Sequence, residues 1–434
     1  MERTIQLMNN DKFKRKSKRN AKDFTRERKV GFVSLLTLLL RMVRKSSQLE
    51  LDEFREQALS LPSSSDTYTK QSFSEARQKL RPVAFTLLND EFIRGFYEDG
   101  DFKTFHNFRL LAIDGSVVEI PDTKETRNTY GYWGSNADPS VARAFASNLY
   151  DIENKVTISS VFGNFHDSER DLAKRNIEKL QSFEQPSVRD LILFDRGYPS
   201  IAFMIDLEKQ GISYVIRSQG SFLKEVEQTT SEDEWIQVKV TKPRARELKK
   251  QGTPIPVGTV LQVRVLKVTL PTGETETLLT NVSSADIKYS DSQELYAKRW
   301  GIESGFNDLK HKFEVENFSG IKPLLIEQDF YATIFLSNIA SLFEQEAEAE
   351  WYEKNHHKDR KYQTYHINKS ILAGKLRTRL IEMVLTDDPH HREQIYETFL
   401  AEIQRHVVPV IPGRRYKREK KQANRYSNTN RRSL

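Results

Sequence analysis

Leu191-Ile192-Leu193-Phe194-Asp195-Arg196-Gly197-Tyr198 is a short apolar run that stops at a charged turn. Such a run, with no polar residue inside it, reads as a strand buried on both faces. The carboxylate at its end stands where α/β sheets bind ligands. Leu110-Leu111-Ala112-Ile113 followed by Asp114-Gly115-Ser116 repeats the arrangement earlier in the chain. There Asp-Gly reads as a turn, with Val117-Val118-Glu119-Ile120 as the second arm of a hairpin closed by Pro121. Val156–Phe162 is a further strand, and a helix carrying Leu172, Ile177 and Leu180 follows it. Alternating strands and helices predict an α/β core, and the hairpin predicts a mixed sheet. Each Asp is, on its own, either a turn-former or an active-site acid.

The flanking segments are of other kinds. Up to about Phe105 the chain reads as helical, with Phe32, Leu35, Leu36, Leu39, Leu40 and Val43 at helical spacing. Leu61–Asp66 is a breaker, Thr69 or Ser72 can cap a helix through Phe73, Ala76, Arg77 and Leu80, and another helix runs from Val83 to Phe96. Tyr214–Arg217, Trp235–Val240, Leu261–Leu270 and Glu274–Val282 read as strands, the last two joined by a Pro271-Thr272-Gly273 turn. Helix returns at Ser290. The organisation expected is a helical region with a basic arm over 1–105, an α/β core over 106–213, and a β-rich insertion over 214–285. The core resumes over 286–345, and a helical region with a basic tail covers 346–434.

Composition narrows the chemistry. The 434 residues include no cysteine, which removes disulfide scaffolds, thiolate zinc sites, iron–sulfur clusters and cysteine nucleophiles. Lys and Arg exceed Asp and Glu by only 7, but basic residues crowd Lys12–Lys29 and Arg414–Arg432. Basic ends on a near-neutral middle suit a polyanion partner, or equally a pair of solvated tails. The apolar Gly31–Val43 stretch is too short to span a bilayer and contains Arg41, and the first thirty residues hold no signal-peptide core. A soluble, cytoplasmic protein without a membrane partner is expected. His356-His357 and His390-His391 are adjacent pairs with no regularly spaced third ligand, so they read as ordinary polar residues and not a zinc site. No phosphate-binding Gly-x4-Gly-Lys loop is present to support ATP-driven work.

On the helix from Ser290, Tyr296, Arg299, Glu303 and Lys310 follow one another at spacings of 3, 4 and 7. At about 100° per residue they fall within roughly a 60° arc of one face. Leu295, Ile302, Phe306, Leu309 and Phe313 form an apolar stripe beside that row. A solvated Arg299–Glu303 pair is the plain reading. The row abuts a buried stripe, however, and follows two strand-end aspartates. Three carboxylates without His or Cys suit a hard cation such as Mg²⁺ or Mn²⁺, whose shell substrate phosphates complete. Two such ions can drive in-line phosphoryl displacement, and Arg and Lys beside them bind phosphate.

Tyr296-x2-Arg299-x3-Glu303-x6-Lys310, within LYAKRWGIESGFNDLKHKF, resembles the Y-x2-R-x3-E-x6-K signature of bacterial DDE transposases of the insertion sequence four group. The similarity extends to AIDGS, LFDRGY, ETETLLTNV, RAFASNLYDIENKV, SERDLA, KDFTRERKVGFVSLL and SFSEARQKL, and so covers roughly residues 20 to 345. The resemblance implies an RNase H-like fold interrupted by the β-rich insertion, with Asp114, Asp195 and Glu303 as catalytic residues binding two Mg²⁺ or Mn²⁺ ions. It further implies that Arg299 and Lys310 contact transposon-end phosphates and that Tyr296 holds the strand near the cut. The partner would be double-stranded DNA, as terminal inverted repeats and target, and the working form a homodimer in the bacterial nucleoid.

Other assignments rest on residue chemistry. Trp300 either stacks on a displaced base or packs in the core, and Trp235 has the same choice with more weight on packing. Arg217 either reaches DNA or serves the strand that carries it. Glu169 and Arg170 read as a helix cap and a salt bridge. Gln71, Ser74, Arg77, Gln78 and Arg81 can face a major groove or plain solvent, Arg77 being the foremost candidate for a DNA contact. A host nuclease of the same fold and an inactive DNA-binding regulator are the competing functions.

Overall fold

The computed structural model describes residues 2–26, 31–41, 47–58, 69–98, 100–133, 141–183, 188–270, 273–357 and 360–411. Arg28, Lys29, Val43, Leu61–Asp66, Pro271-Thr272 and the basic Arg414–Arg432 run lie outside the described residues. The chain forms two compact units. One comprises Met1–Gly95, Val117–Ala144 and Asn307–Leu434, the other Phe96–Ser116 and Phe145–Phe306.

The strands are β1 (Phe108–Glu119), β2 (Tyr132–Trp133), β3 (Val141–Asp151), β4 (Val156–Asn164), β5 (Arg189–Phe194), β6 (Ser213–Ser218), β7 (Asp233–Lys239), β8 (Val260–Thr269) and β9 (Thr275–Thr280). They run in the order β2-β3-β1-β5-β6-β9-β8-β7, with β4 on β3. β5 is parallel to both β1 and β6, whereas β9, β8 and β7 continue the sheet antiparallel. The expected mixed α/β fold with helical regions before and after the sheet is therefore what the chain adopts. The β-rich segment extends the same sheet through β6–β9 pairing.

In the second unit, Leu191, Ile192, Leu193 and Phe194 are fully buried, as a strand flanked by strands on both edges requires. Arg109 at the start of β1 is buried and donates from Nε and Nη2 to Asp190 at 2.6 and 2.9 Å, its guanidinium lying 4.6 Å from the Tyr97 ring. Leu172, Ala173, Ile177 and Leu180 form the buried face of the Glu169–Gln181 helix, which packs on β4.

The expected turn is corrected here, and two elements are added. Asp114-Gly115-Ser116 is not a turn: β1 continues straight through it. Gly115 is required by space, because a Cβ there would fall on the Phe145 ring. β3, with its alternating Ala, Arg, Ala, Phe, Ala and Ser, lacks the β-branched run that marks a strand, yet it forms one by pairing in the sheet. Within the β-rich segment, Lys242–Lys250 is a helix, started by Pro243 in its first turn and built of good helix formers.

In the first unit, Pro323–Asn355 is a 33-residue helix that packs against Phe32–Leu40, Lys369–Leu385 and Pro389–Gln404. Thr69 caps the Lys70–Arg77 helix by accepting from the Ser72 amide at 3.1 Å, as its position before an apolar pattern indicates.

Gly115→Ala should destabilise the protein by about 1–3 kcal/mol through overpacking against Phe145. Urea unfolding monitored by circular dichroism measures this, and an unchanged midpoint would mean that the ring does not fix that residue.

Candidate active site

The β1–β5 register builds the site. Ile113 pairs with Phe194, so Asp114, within β1, and Asp195, just after β5, follow side by side where the parallel pairing of the two strands ends. Asp114 accepts from the Gly115 amide at 2.8 Å. Burial pushes its carboxyl up to about 6, against the Gly115 hydrogen bond and Arg299, with Asp195 and Glu169 adding to the rise. Asp195 Oδ1 is buried and has no hydrogen-bond partner.

Glu303 arrives on a different element. The helix expected from Ser290 is two, Ser292–Ala297 and Trp300–His311, with a tight turn at Lys298-Arg299. The Arg299, Gly301 and Ile302 amides bond back three residues, to Tyr296, Lys298 and Arg299 carbonyls. Gly301 sits where a Cβ would lie 2.9 Å from Ile152, so the chain is pressed close at the break. The apolar stripe nevertheless holds: Leu295, Ile302, Phe306, Leu309 and Phe313 are all buried.

That turn draws Arg299 inward, to 4% exposure. Its Nη2 donates to Glu303 Oε1 at 2.7 Å, and its Nη1 lies 3.5 Å from Asp114 Oδ2. One guanidinium thus links the first and third carboxylates. Burial opposes its charge, but Tyr296, Glu303, Asp195 and Asp114 outweigh burial and raise its pKa. Arg299, expected to contact transposon-end phosphates, is paired with carboxylates inside the site.

The other expected DNA contacts separate. Tyr296 is also 4% exposed, its hydroxyl unpartnered, and burial first, then Asp195, raises its pKa. Its place is inside the protein and not at a strand surface. Trp300 is 53% exposed and stacks loosely with Arg299, whose Cζ lies 5.6 Å from its ring, so it is not a core residue. Trp235 is likewise exposed on β7. Arg217 lies 2.8 Å from Glu276 and 4.0 Å from Asp195, within the carboxylate neighbourhood. Lys310, in the first unit, donates to the Val117 carbonyl at 2.6 Å and stands 3.7 Å from Glu316. Arg77 is corrected outright. It is 2% exposed and donates to Gln328, Ser319, Asp329 and the Leu325 carbonyl, tying its short helix to the Pro323–Asn355 helix, and it faces no groove.

Among the described residues no three Asp, Glu or His groups converge closely enough to hold an ion as they stand. In kind, the residues fit a hard cation. The donors are carboxylate oxygens, Asp195 Oδ1 is an orphaned buried acceptor, and a positive charge already lies between Asp114 and Glu303.

A family model described as "Transposase DDE domain" matches residues 106–339. The chain belongs to that family. It is 25% identical over 274 residues to "Transposase InsG for insertion sequence element IS4" of Escherichia coli (strain K12), which agrees with the group its signature resembles. That similarity covers 61% of this chain and 59% of the relative. Among solved structures, "Cryo-EM structure of piggyBac transposase synaptic complex with hairpin DNA (SNHP)" aligns with a TM-score of 0.42 at 13% identity, over 94% of this chain and 86% of that one. Among the described residues, no helix is long and apolar enough to cross a membrane.

The DDE domain also brings in two residues beyond the signature. Glu169 adds to the rise of the Asp114 carboxyl and is itself raised, first by burial and then by Asp195, and the Tyr198 phenol is raised first by burial and then by Asp114, Glu169 and Asp195. The Glu169 signal lay in its position between the two aspartates, where a helix-cap reading is locally sufficient.

The proton on Asp114 has a measurable consequence. The folded state holds it up to about pH 6, whereas an unfolded Asp releases it near 3.8. Stability of the metal-free protein should therefore fall as pH rises from 4 through 6, by on the order of 2 kcal/mol for this group. Asp151, raised to about 6 by burial, adds a parallel slope. Thermal unfolding in EDTA should show a shallower decline for Asp114→Asn. An identical decline would mean that Asp114 is not held in a desolvated place.

Proposed function

We propose that the protein is a cut-and-paste transposase that cleaves DNA at transposon ends and joins the freed 3′ ends to target DNA at one carboxylate site. The observation that carries this reading is the β1–β5 register, which seats Asp114 beside Asp195, together with the Arg299 bridge from Asp114 to Glu303. Asp114, Asp195 and Glu303 would hold Mg²⁺ or Mn²⁺, in the paired form that phosphoryl transfer uses. Bound there, the metal supplies Lewis acidity toward the phosphoryl oxygens and a more acidic attacking water or hydroxyl.

The chain's own residues then divide the work. Arg299 balances the carboxylates before metal arrives and, released from them, is a bidentate donor suited to a phosphate. Exposed Trp300, three residues before Glu303 on the same helix, offers a stacking face for a base displaced at the cut, which suits release through a hairpin. Lys310 at the far end of that helix is a phosphate contact, and the basic Lys12–Lys22 arm adds salt-dependent, sequence-independent affinity for duplex DNA. Two ends must be cut together, so the working form is a homodimer on double-stranded DNA in the bacterial nucleoid.

The test is cleavage of a labelled fragment bearing the element's end, with Mg²⁺ or EDTA. Nicking should require metal and fall at least about 1,000-fold in Glu303→Gln and in Asp114→Asn, with end binding by gel shift retained. Cleavage that survives either substitution rules out this triad. Trp300→Ala should leave the first nick within about threefold of wild type but lower hairpin yield at least tenfold. Equal loss of both steps would place Trp300 in general binding.

A further inference from the structure

Glu169 is the first residue of the Glu169–Gln181 helix, where an acidic side chain is ordinarily explained by the helix dipole. Its carboxylate has a more specific seat. A Cβ on Gly197 would lie 2.9 Å from Glu169 Oε2, so the carboxylate rests against the backbone of the turn that follows Asp195. Gly197 does not have a positive φ, and its backbone conformation is open to any residue. A side chain at 197 would therefore push the Glu169 carboxylate aside.

A second, independent observation marks the same place. Tyr198 is 1% exposed, and its hydroxyl is buried without a hydrogen-bond partner. After burial, the groups that act most on that phenol are Asp114, Glu169 and Asp195, with Arg299 opposing. A buried donor left unpaired costs about 1–3 kcal/mol. A water or a phosphate oxygen accepting from it would remove that cost.

Resting on the phosphodiester-cleaving reading above, we propose that Glu169 is a fourth carboxylate of the metal site. It would take part in holding a divalent hard cation beside Asp114 and Asp195, and residue 197 is glycine to admit it. Hard cations such as Mg²⁺ keep several waters, so a carboxylate can serve through one of them while remaining beyond direct ligand distance. Glu169 keeps access to solvent.

Mn²⁺ binding to the full-length protein without DNA, followed by the electron paramagnetic resonance signal of free Mn²⁺, tests this without calling on activity. Glu169→Gln removes the charge. Gly197→Ala keeps every carboxylate in the sequence but displaces this one. Both should weaken Mn²⁺ binding about tenfold or more, while Glu169→Asp should restore part of it. In EDTA, Glu169→Gln should melt no lower than wild type, because it relieves repulsion. Lower melting with unchanged Mn²⁺ affinity would assign Glu169 to the helix dipole and overturn the proposal. Asp114→Asn losing Mn²⁺ while Glu169→Gln and Gly197→Ala bind it normally would also overturn the proposal, leaving the triad standing. Mn²⁺ binding unaffected by Asp114→Asn and Glu303→Gln as well would overturn both the proposal and the triad.

Discussion

Parallel pairing of β1 with β5 places two carboxylates side by side where that pairing ends, and the remaining features of the site answer the electrostatic problem this creates. Both strands are apolar and fully buried up to these residues, at Leu110–Ile113 and Leu191–Phe194. Desolvation holds the Asp114 proton, and the nearby Asp195 charge makes its loss harder still. A fold that seats two acids this way must find them a cation. In the metal-free protein, Arg299 serves Asp114 directly and carries the link on to Glu303.

Arg299 can do so because of the break between the Ser292–Ala297 and Trp300–His311 helices. A continuous helix would set Arg299 and Glu303 in one row along its flank. The tight turn at Lys298-Arg299, with Gly301 pressed on Ile152, puts Arg299 inside and leaves Trp300 in solvent. One local departure from helical geometry thus separates a charge-balancing residue from an exposed aromatic beside it. A buried arginine with Nε and Nη1 unpaired by hydrogen bonds is incompletely satisfied, which favours its release when a better cation competes for the carboxylates.

Much of this was legible in the sequence, and the failures have physical causes. Leu110–Ile113 and Leu191–Phe194 announced buried strands because uninterrupted apolar runs of that length have few alternatives, and their terminal aspartates followed. Their pairing with each other was not legible, since parallel register is set by the packed sheet and not by either strand. Asp114-Gly115 misled because local turn chemistry yielded to the Phe145 ring. Arg77 misled because its partners, Gln328 and Asp329, lie about 250 residues away in sequence. Glu169 was hidden behind a reading that was locally adequate, and only the turn after Asp195 reveals what its carboxylate touches.

Gly115 and Gly197 carry the same lesson in opposite directions. Both stand one or two residues from an aspartate of the site, and both invite a turn interpretation. Gly115 admits the Phe145 ring beside Asp114 in sequence. Gly197 admits a carboxylate that adds to the charge. Whatever the crowded carboxylates cost the metal-free state is regained when a cation binds, since any ligand held by the folded state alone stabilises it in proportion to the logarithm of its concentration over Kd. Strain in the empty site and affinity for the ion are then two readings of one arrangement.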